Sequence, residues 1–462
     1  IKLLDMHQRN SMNTIIVQVR PAADAFYPSQ YEPWSEYLMG KQGLPPTPLY
    51  DPLDFMITET HKRGMEFHAW LNPYRAVFRV GKSSISPSHI TRLHPEWFST
   101  YGTTKYFNPG LPEVQQHVNR IVKDIVKNYD VDAIHMDDYF YPYRIDGKEF
   151  PDEAAFKKYG NGLNKDQWRR SNCDSIIKSL YETIRSTKPT VKFGISPFGV
   201  WRNKSQDPRG SETKGGQTNY DDLYADILLW LKKNWIDYVA PQLYWEIGNK
   251  YCDYNTLLNW WAAHSYGKQV YIGHGLYRVF EKPTPAWRNK DELPDEITAL
   301  RNYTDVQGSI FFSCKDLLNN PNGWRDSLQF NYYASPSLVP PMSWIDDAAP
   351  QKPSIVNFTQ IVNGSFPGFT IHIRAAKNET QPVKTYIIYI TENITALGTH
   401  PSILFAKVTD DEQDLNIGSA EIPAAWKQCY IAVSSLDKEN NESDLSNVVQ
   451  LTHTEKGWKI LK

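Results

Sequence analysis

The sequence is short of several things at once. Its four cysteines, Cys173, Cys252, Cys314 and Cys429, stand far apart, with no CxxC and no Cys/His spacing. Neither a thiolate metal site nor a disulfide framework is therefore evident. No apolar run is long enough for a transmembrane helix. A formal net charge of −2 gives no electrostatic case for nucleic acid or an anionic membrane surface. Repeats and low-complexity tracts are lacking too. The opening Ile1-Lys-Leu-Leu-Asp-Met-His7 reads as the middle of an amphipathic helix and not as a signal peptide. The expectation is that further residues lie upstream, so targeting is not read from this sequence.

What is present is length and aromatic content. A chain of 462 residues predicts two or three domains. Its 15 Trp, 28 Tyr and 19 Phe predict that some rings line a cleft, although any single Trp is first a core residue. The most informative stretch is Asp132-Ala-Ile-His-Met-Asp-Asp-Tyr-Phe-Tyr-Pro-Tyr143. Read as a strand, Ile134 and Met136 share one face while Ala133, His135 and Asp137 share the other. Such a strand suits a β/α barrel, apolar toward the helices and equipped toward a lumen that opens at the strand's carboxyl end. Adjacent carboxylates beside Tyr139, Phe140, Tyr141 and Tyr143 look like an acid/base site next to a sugar-stacking wall. The plainer alternative is a helix cap or a surface ion pair.

The same alternation recurs at 13–20, 66–75, 192–201, 237–246, 270–275 and 308–315, with helical patterns between. The helix after Leu111 carries Val114, Val118, Ile121, Val122, Ile125 and Val126 on one stripe. Strand and helix alternation predicts a parallel sheet and, at this length, a (β/α)8-type TIM barrel over 1–334. Only seven strands are counted, so the barrel is expected to lack its first. A proline-rich linker follows at 335–353. Seven short runs at 355–361, 369–374, 386–391, 403–408, 419–422, 428–434 and 448–451 then predict a β-sandwich over 354–453, with a tail at 454–462. The end of that sandwich resembles the last strand of a fibronectin type III domain, and a docking or spacer role is expected for it.

Parity gathers Gln18 and Arg20, Trp70 and Asn72, His135 and Asp137, and Tyr244 and Glu246 around one mouth. Glycoside hydrolysis needs one carboxyl to protonate the leaving oxygen and another to attack or to activate water. Asp137 and Glu246 both point inward on this reading and are the expected pair, with either role open to either. Asp138 should face the helices unless the strand has already curled, so orientation or capping is as open to it as catalysis. Arg20 and Asp24 either bind sugar hydroxyls or pair with each other. His135 reads as a hydrogen-bonding core residue before a proton shuttle; His274 is open to either role, and Lys315 is a weaker candidate. A metal-dependent deacetylase built from Asp137, Asp138, His68, His135 and His274 is the rival chemistry, although no HxH pair ends a strand.

The motifs Val17-Gln-Val-Arg-Pro-Ala-Ala-Asp-Ala-Phe-Tyr-Pro-Ser29, Trp70-Leu-Asn-Pro-Tyr-Arg75, Tyr106-Phe-Asn-Pro-Gly110, Ile134-His-Met-Asp-Asp-Tyr-Phe-Tyr-Pro142, Ile195-Ser-Pro-Phe-Gly-Val-Trp-Arg202 and Ala240-Pro-Gln-Leu-Tyr-Trp-Glu246 resemble the glycosyl-hydrolase-like family ten. The resemblance runs from Ile1 to about Ala334. It implies a TIM-barrel glycosidase of the bacterial envelope, periplasmic or an outer-membrane lipoprotein. Its substrate would be a polysaccharide, with peptidoglycan glycan strands foremost, and a non-catalytic glycan-binding lipoprotein is the alternative. No cofactor, metal or nucleic acid is expected. The candidate substrate-binding residues are Arg20, Asp24, Trp70, Asn72, Tyr74, Arg75, Asn108, His135, Tyr139, Phe198, Trp201, Tyr244, Trp245, His274 and Tyr277. The central stretch is also similar to the chitinase motif DGxDxDxE, but Tyr139 stands where that motif has its catalytic glutamate. Substrate-assisted chitinase chemistry is therefore not expected.

Overall fold

The computed structural model describes residues 1–281, 284–361, 368–376, 381–398, 404–409 (backbone only), 414–418, 422–455 and 457–461. Its packing separates two units, 15–59 with 66–328, and 1–14 with 60–65 and 329–462. This departs from the expected boundary at 334. The helix Lys2–Arg9 and the turn at 60–65 group with the C-terminal residues. Arg63 donates to Asp5 from Nε and Nη2 at 2.8 and 2.7 Å, and Asn13 donates to the Ser337 carbonyl at 3.2 Å.

The larger unit is built on seven parallel strands: β1 Thr14–Arg20, β2 Glu66–Leu71, β3 Ala133–Met136, β4 Lys192–Ile195, β5 Tyr238–Val239, β6 Gln269–Gly275 and β7 Val306–Phe312. They neighbour one another in chain order, the progression of a β/α barrel, and β7 does not pair with β1 among the described residues. The registers of β2 to β4 agree with the expected parity. His135 lies opposite Trp70 and Gly194, and Met136 opposite Leu71 and Ile195. Helix Pro112–Asn128 buries its whole predicted stripe together with His117.

Three local features depart from the sequence reading. The strand expected over 237–246 has regular pairing only at Tyr238–Val239. Pro241 has no N–H to give the ladder, and pairing resumes as parallel bridges from Gln242 to Phe198 and Gly273. After β2 the segments Arg75–Val77, Phe98–Tyr101 and Thr104–Phe107 form a small antiparallel sheet that alternation did not announce. The 23-residue helix Lys165–Thr187, opened by an Asn164/Gln167 capping box, was likewise not foreseen.

The C-terminal residues form two antiparallel sheets. Strands β8 Ser354–Ile361, β9 Gly368–Arg374 and β12 Asp414–Gly418 make one, in that order. The other runs β11 Leu404–Thr409, β10 Thr385–Thr391, β13 Gln428–Leu436, β14 Val449–Thr454 and β15 Gly457–Ile460. Ile355, Phe369, Ile371, Ile388, Ile431 and Val433 bury the alternating positions in one core. Two expectations change here. The supposed tail at 454–462 contains β15, which returns along β14. The strand expected at 419–422 falls mostly outside the described residues, and the strand seen beside it is Asp414–Gly418.

Candidate active site

The lumen floor is set by β2 to β5. Tyr238 projects inward, and Gly194 opposite it has no room for more, since a Cβ there would lie 1.9 Å from the tyrosine ring. The Tyr238 hydroxyl joins His68 Nδ1 and His135 Nδ1, each at 2.9 Å. His68 Nε2 meets Glu66 at 3.0 Å, and Lys192 donates to the same carboxylate at 2.6 Å. Burial pushes His135 down to about 3, so it is neutral and serves as a hydrogen-bonded core residue.

One layer higher sits Asp137, which takes Trp70 Nε1 at 3.1 Å and Asn72 Nδ2 at 3.1 and 3.3 Å. Asn72 is held in turn by accepting Arg75 N–H at 2.7 Å. Burial raises the Asp137 carboxyl. The Arg75 charge, Asn72, the Tyr139 N–H and Trp70 oppose that rise. Asp138 follows directly, yet its side chain does not turn to the helices. The ladder ends at Met136, alternation lapses, and Asp138 Oδ2 accepts from the Tyr143 hydroxyl. Burial and the Asp137 charge push Asp138 up to about 7, against hydrogen bonds from Tyr143 and Gln242. Two adjacent buried carboxyls with unequal donors divide their work. The better-solvated anion is Asp137, and the proton stays with Asp138.

Around the pair runs a chain of rings, half-buried except for the exposed Phe312. Tyr139 stacks on Tyr143 at 5.1 Å, Phe198 meets Tyr143 edge-on at 6.2 Å, and Trp245 meets Phe198 edge-on at 5.4 Å. Tyr244 joins Tyr277 at 5.7 Å and Phe312 at 6.2 Å. The Arg75 guanidinium lies over Phe78 at 3.9 Å and over Tyr139 at 5.7 Å.

Other expected site residues stand apart from this group. Arg20 is fully engaged with Glu32, at 2.7 and 2.5 Å, and with the Asn72 and Pro73 carbonyls at 2.6 and 3.2 Å. It shapes the loop carrying Asn72 and Arg75 instead of offering hydroxyl contacts. Asp24 accepts from Ala22 N–H and Gln42, both at 3.1 Å, and not from Arg20. Asn108 caps its own turn by accepting Gly110 N–H at 3.0 Å. Tyr74 is a core residue at 1% exposure. Trp201 is wholly buried and stacked on Trp260 at 6.0 Å, so it too is core.

His274 is bound at 2.6 Å to Glu296 and at 3.1 Å to Ser309. Burial drives His274 down to about 3 and Glu296 up, so this contact is a neutral hydrogen bond and not an ion pair. His68, His135 and His274 therefore each have protein partners away from Asp137 and Asp138. Glu246 lies past the last β5 bridge, and its charge bears on Glu292 and Glu296. Sequence reasoning left out Glu32 and Gln242, and read Tyr143 only as part of the aromatic wall. Inward parity at 242 already hinted at Gln242.

A family profile described as "Glycosyl hydrolase-like 10" matches residues 1–289, ending short of the span read from the motifs. "Glycosyl hydrolase YngK" of Bacillus subtilis (strain 168) is 44% identical over 451 residues, covering 96% of this chain and 86% of that protein. "Glycosyl hydrolase DigH" of Escherichia coli (strain K12) is 39% identical over 338 residues, covering 70% and 76%. Among solved structures, the glycoside hydrolase domain of PgaB (BpsB) from Bordetella bronchiseptica superposes with a TM-score of 0.47 at 12% identity, covering 71% of this chain and 91% of that one. That likeness is too loose to bear on chemistry.

Proposed function

The chain belongs to the glycosyl hydrolase-like 10 family and is a glycosyl hydrolase, and from that premise we propose that it cleaves the glycan strands of peptidoglycan with Asp138 as general acid and Asp137 as its ionised partner. The observation that carries this reading is a pair of adjacent buried carboxyls with unequal donors, Asp137 accepting from Trp70 and Asn72 near the Arg75 charge and Asp138 accepting from Tyr143; burial and the Asp137 charge push Asp138 up to about 7. A general acid works best when its pKa lies near the operating pH. Asp138 protonates the leaving oxygen while Asp137 faces the positive charge growing at the anomeric carbon. The rings of Tyr139, Tyr143, Phe198 and Trp245 offer stacking faces to successive sugars. Glu246, first expected to pair with Asp137 in either role, is given a place in the outer wall of the cleft. The substrate implies a site of action in the cell envelope. The two C-terminal sheets, with β8-β9-β12 facing a β11-β10-β13-β14 set, support a fibronectin type III spacer.

The adjacency of the two carboxylates favours a second course for the same reaction. Consecutive residues leave both groups on one strand end, whereas direct displacement needs them on opposite faces of the sugar. This course departs from the expectation drawn from Tyr139 at the chitinase glutamate position, because Asp138 would supply the acid instead: the substrate's 2-acetamido oxygen attacks the anomeric carbon as the glycosidic bond breaks, Asp137 holds the acetamido N–H, Asp138 protonates the leaving oxygen, and water then opens the oxazolinium. Glycan strands stripped of peptides are the test substrate. Asp138→Asn should lower turnover by about 10²–10⁴-fold, and a folded variant with wild-type product release would sink the assignment. De-N-acetylated strands separate the two courses: continued cleavage supports direct displacement, and its loss supports acetamido participation.

A further inference from the structure

We propose that the C-terminal unit binds one calcium-class cation between Asp346, Asp437 and Glu439. The three side chains each offer a carboxylate oxygen, and these oxygens lie within 4.8 Å of one another. Oxygens no farther apart than that can reach one cation at the Ca²⁺–oxygen distance of about 2.4 Å, and Ca²⁺ accepts several protein carboxylates in a flexible geometry whereas Mg²⁺ keeps most of its waters. The second observation is independent of the clustering. Glu439 is only 7% exposed, and its Oε1 is buried without a hydrogen-bond partner. A carboxylate oxygen left bare in that position is costly unless a cation covers it.

The loop that presents these groups is already shaped. Asp437 Oδ1 accepts the N–H of Glu439 at 2.9 Å and of Asn441 at 2.8 Å, and Oδ2 accepts Asn441 Nδ2 at 2.9 Å. Asn440 takes the left-handed conformation, φ 67°, that bends the chain back. Asn441 Nδ2 also reaches the Asp346 carbonyl at 3.2 Å. A cation here would pin the proline-rich segment carrying Asp346 to the loop between β13 and β14, which is a structural role separate from catalysis.

The test is calorimetric titration of the full chain, stripped with chelator, with Ca²⁺ alone and then with Mg²⁺ alone. One Ca²⁺ per chain is expected, with a melting transition raised by a few degrees on saturation and much weaker Mg²⁺ binding. Glu439→Gln should weaken Ca²⁺ binding by about tenfold or more while leaving glycan cleavage unchanged. Asp346→Asn, a half-buried position, gives the same readout should Glu439→Gln fail to fold. No heat and no thermal shift with Ca²⁺, or wild-type affinity in both variants, would overturn the proposal, and tighter Mg²⁺ binding would overturn its cation class.

Discussion

Two buried charge clusters lie one strand apart in the barrel and behave in opposite ways. At the end of β1, Arg20 meets Glu32 through two hydrogen bonds, and His117 Nε2 lies 3.4 Å from the same carboxylate, close but not aligned for a hydrogen bond. Burial alone would raise Glu32. The Arg20 charge and bonds, with His117, bring it down to about 2 instead. At the end of β3, like charges share the space and Asp138 rises to about 7. Depth of burial is similar in both, so depth does not separate scaffold from chemistry. What separates them is whether the neighbour has the opposite or the same sign. Opposite charges joined by two hydrogen bonds fix a loop in place, whereas two acids held together keep a proton in reserve.

The sharpest way to break this contrast is to remove one charge from each cluster. Glu32→Gln leaves Arg20 buried without its counter-charge and should cost about 3–5 kcal/mol, read by chemical denaturation. A loss below about 1 kcal/mol would mean that Arg20 finds compensation and that the cluster is not scaffold. Asp138→Asn should act with the other sign. Its folded pKa lies above the ordinary carboxylate value, so the stability it contributes is complete below about pH 4 and is lost as pH rises through about 7. Asparagine does not titrate. The variant should therefore gain on the wild type across that window and stay ahead above it, within a ceiling on the order of 4 kcal/mol. Melting curves at pH 4 and pH 8 check it, and a variant less stable than wild type at pH 8 would contradict the frustrated-pair reading.

Much of the frame was legible because alternation is reliable while a strand stays regular. Trp70, Asn72 and Asp137 were assigned inward by parity, and they do meet. Parity stopped working one residue later, since β3 ends at Met136 and Asp138 takes its direction from Tyr143. At β5 it stopped at Pro241, which interrupts pairing before Glu246 is reached. The role of Arg20 was hidden for a different reason. Its partner Glu32 lies in an irregular loop, where no period tells which way a side chain points. Motif membership misled at Tyr74 and Trp201, because a motif shared along a barrel mouth contains the packing behind the cleft as well as the cleft itself.

Smaller changes sharpen the contrast from within the acidic pair. Trp70→Phe removes one donor from Asp137, so Asp137 should hold its proton to higher pH and the acidic limb of the rate profile should move up, with a fall in turnover of about tenfold. An unmoved acidic limb would argue against Asp137 as the ionised partner. Tyr143→Phe acts on the other group and should have the least effect. The Tyr143 hydroxyl donates to Asp138 and stabilises its charged form, so without it the carboxyl keeps its proton more firmly. The alkaline limb, where the general acid is lost, should then shift upward by about one pH unit or less. Tyr143 also stacks on Tyr139, and phenylalanine preserves that ring, so substrate affinity should change little. A profile in which the alkaline limb moves down, or in which KM changes while both limbs stay fixed, would confine Tyr143 to the sugar-binding wall and remove it from the control of the Asp138 proton.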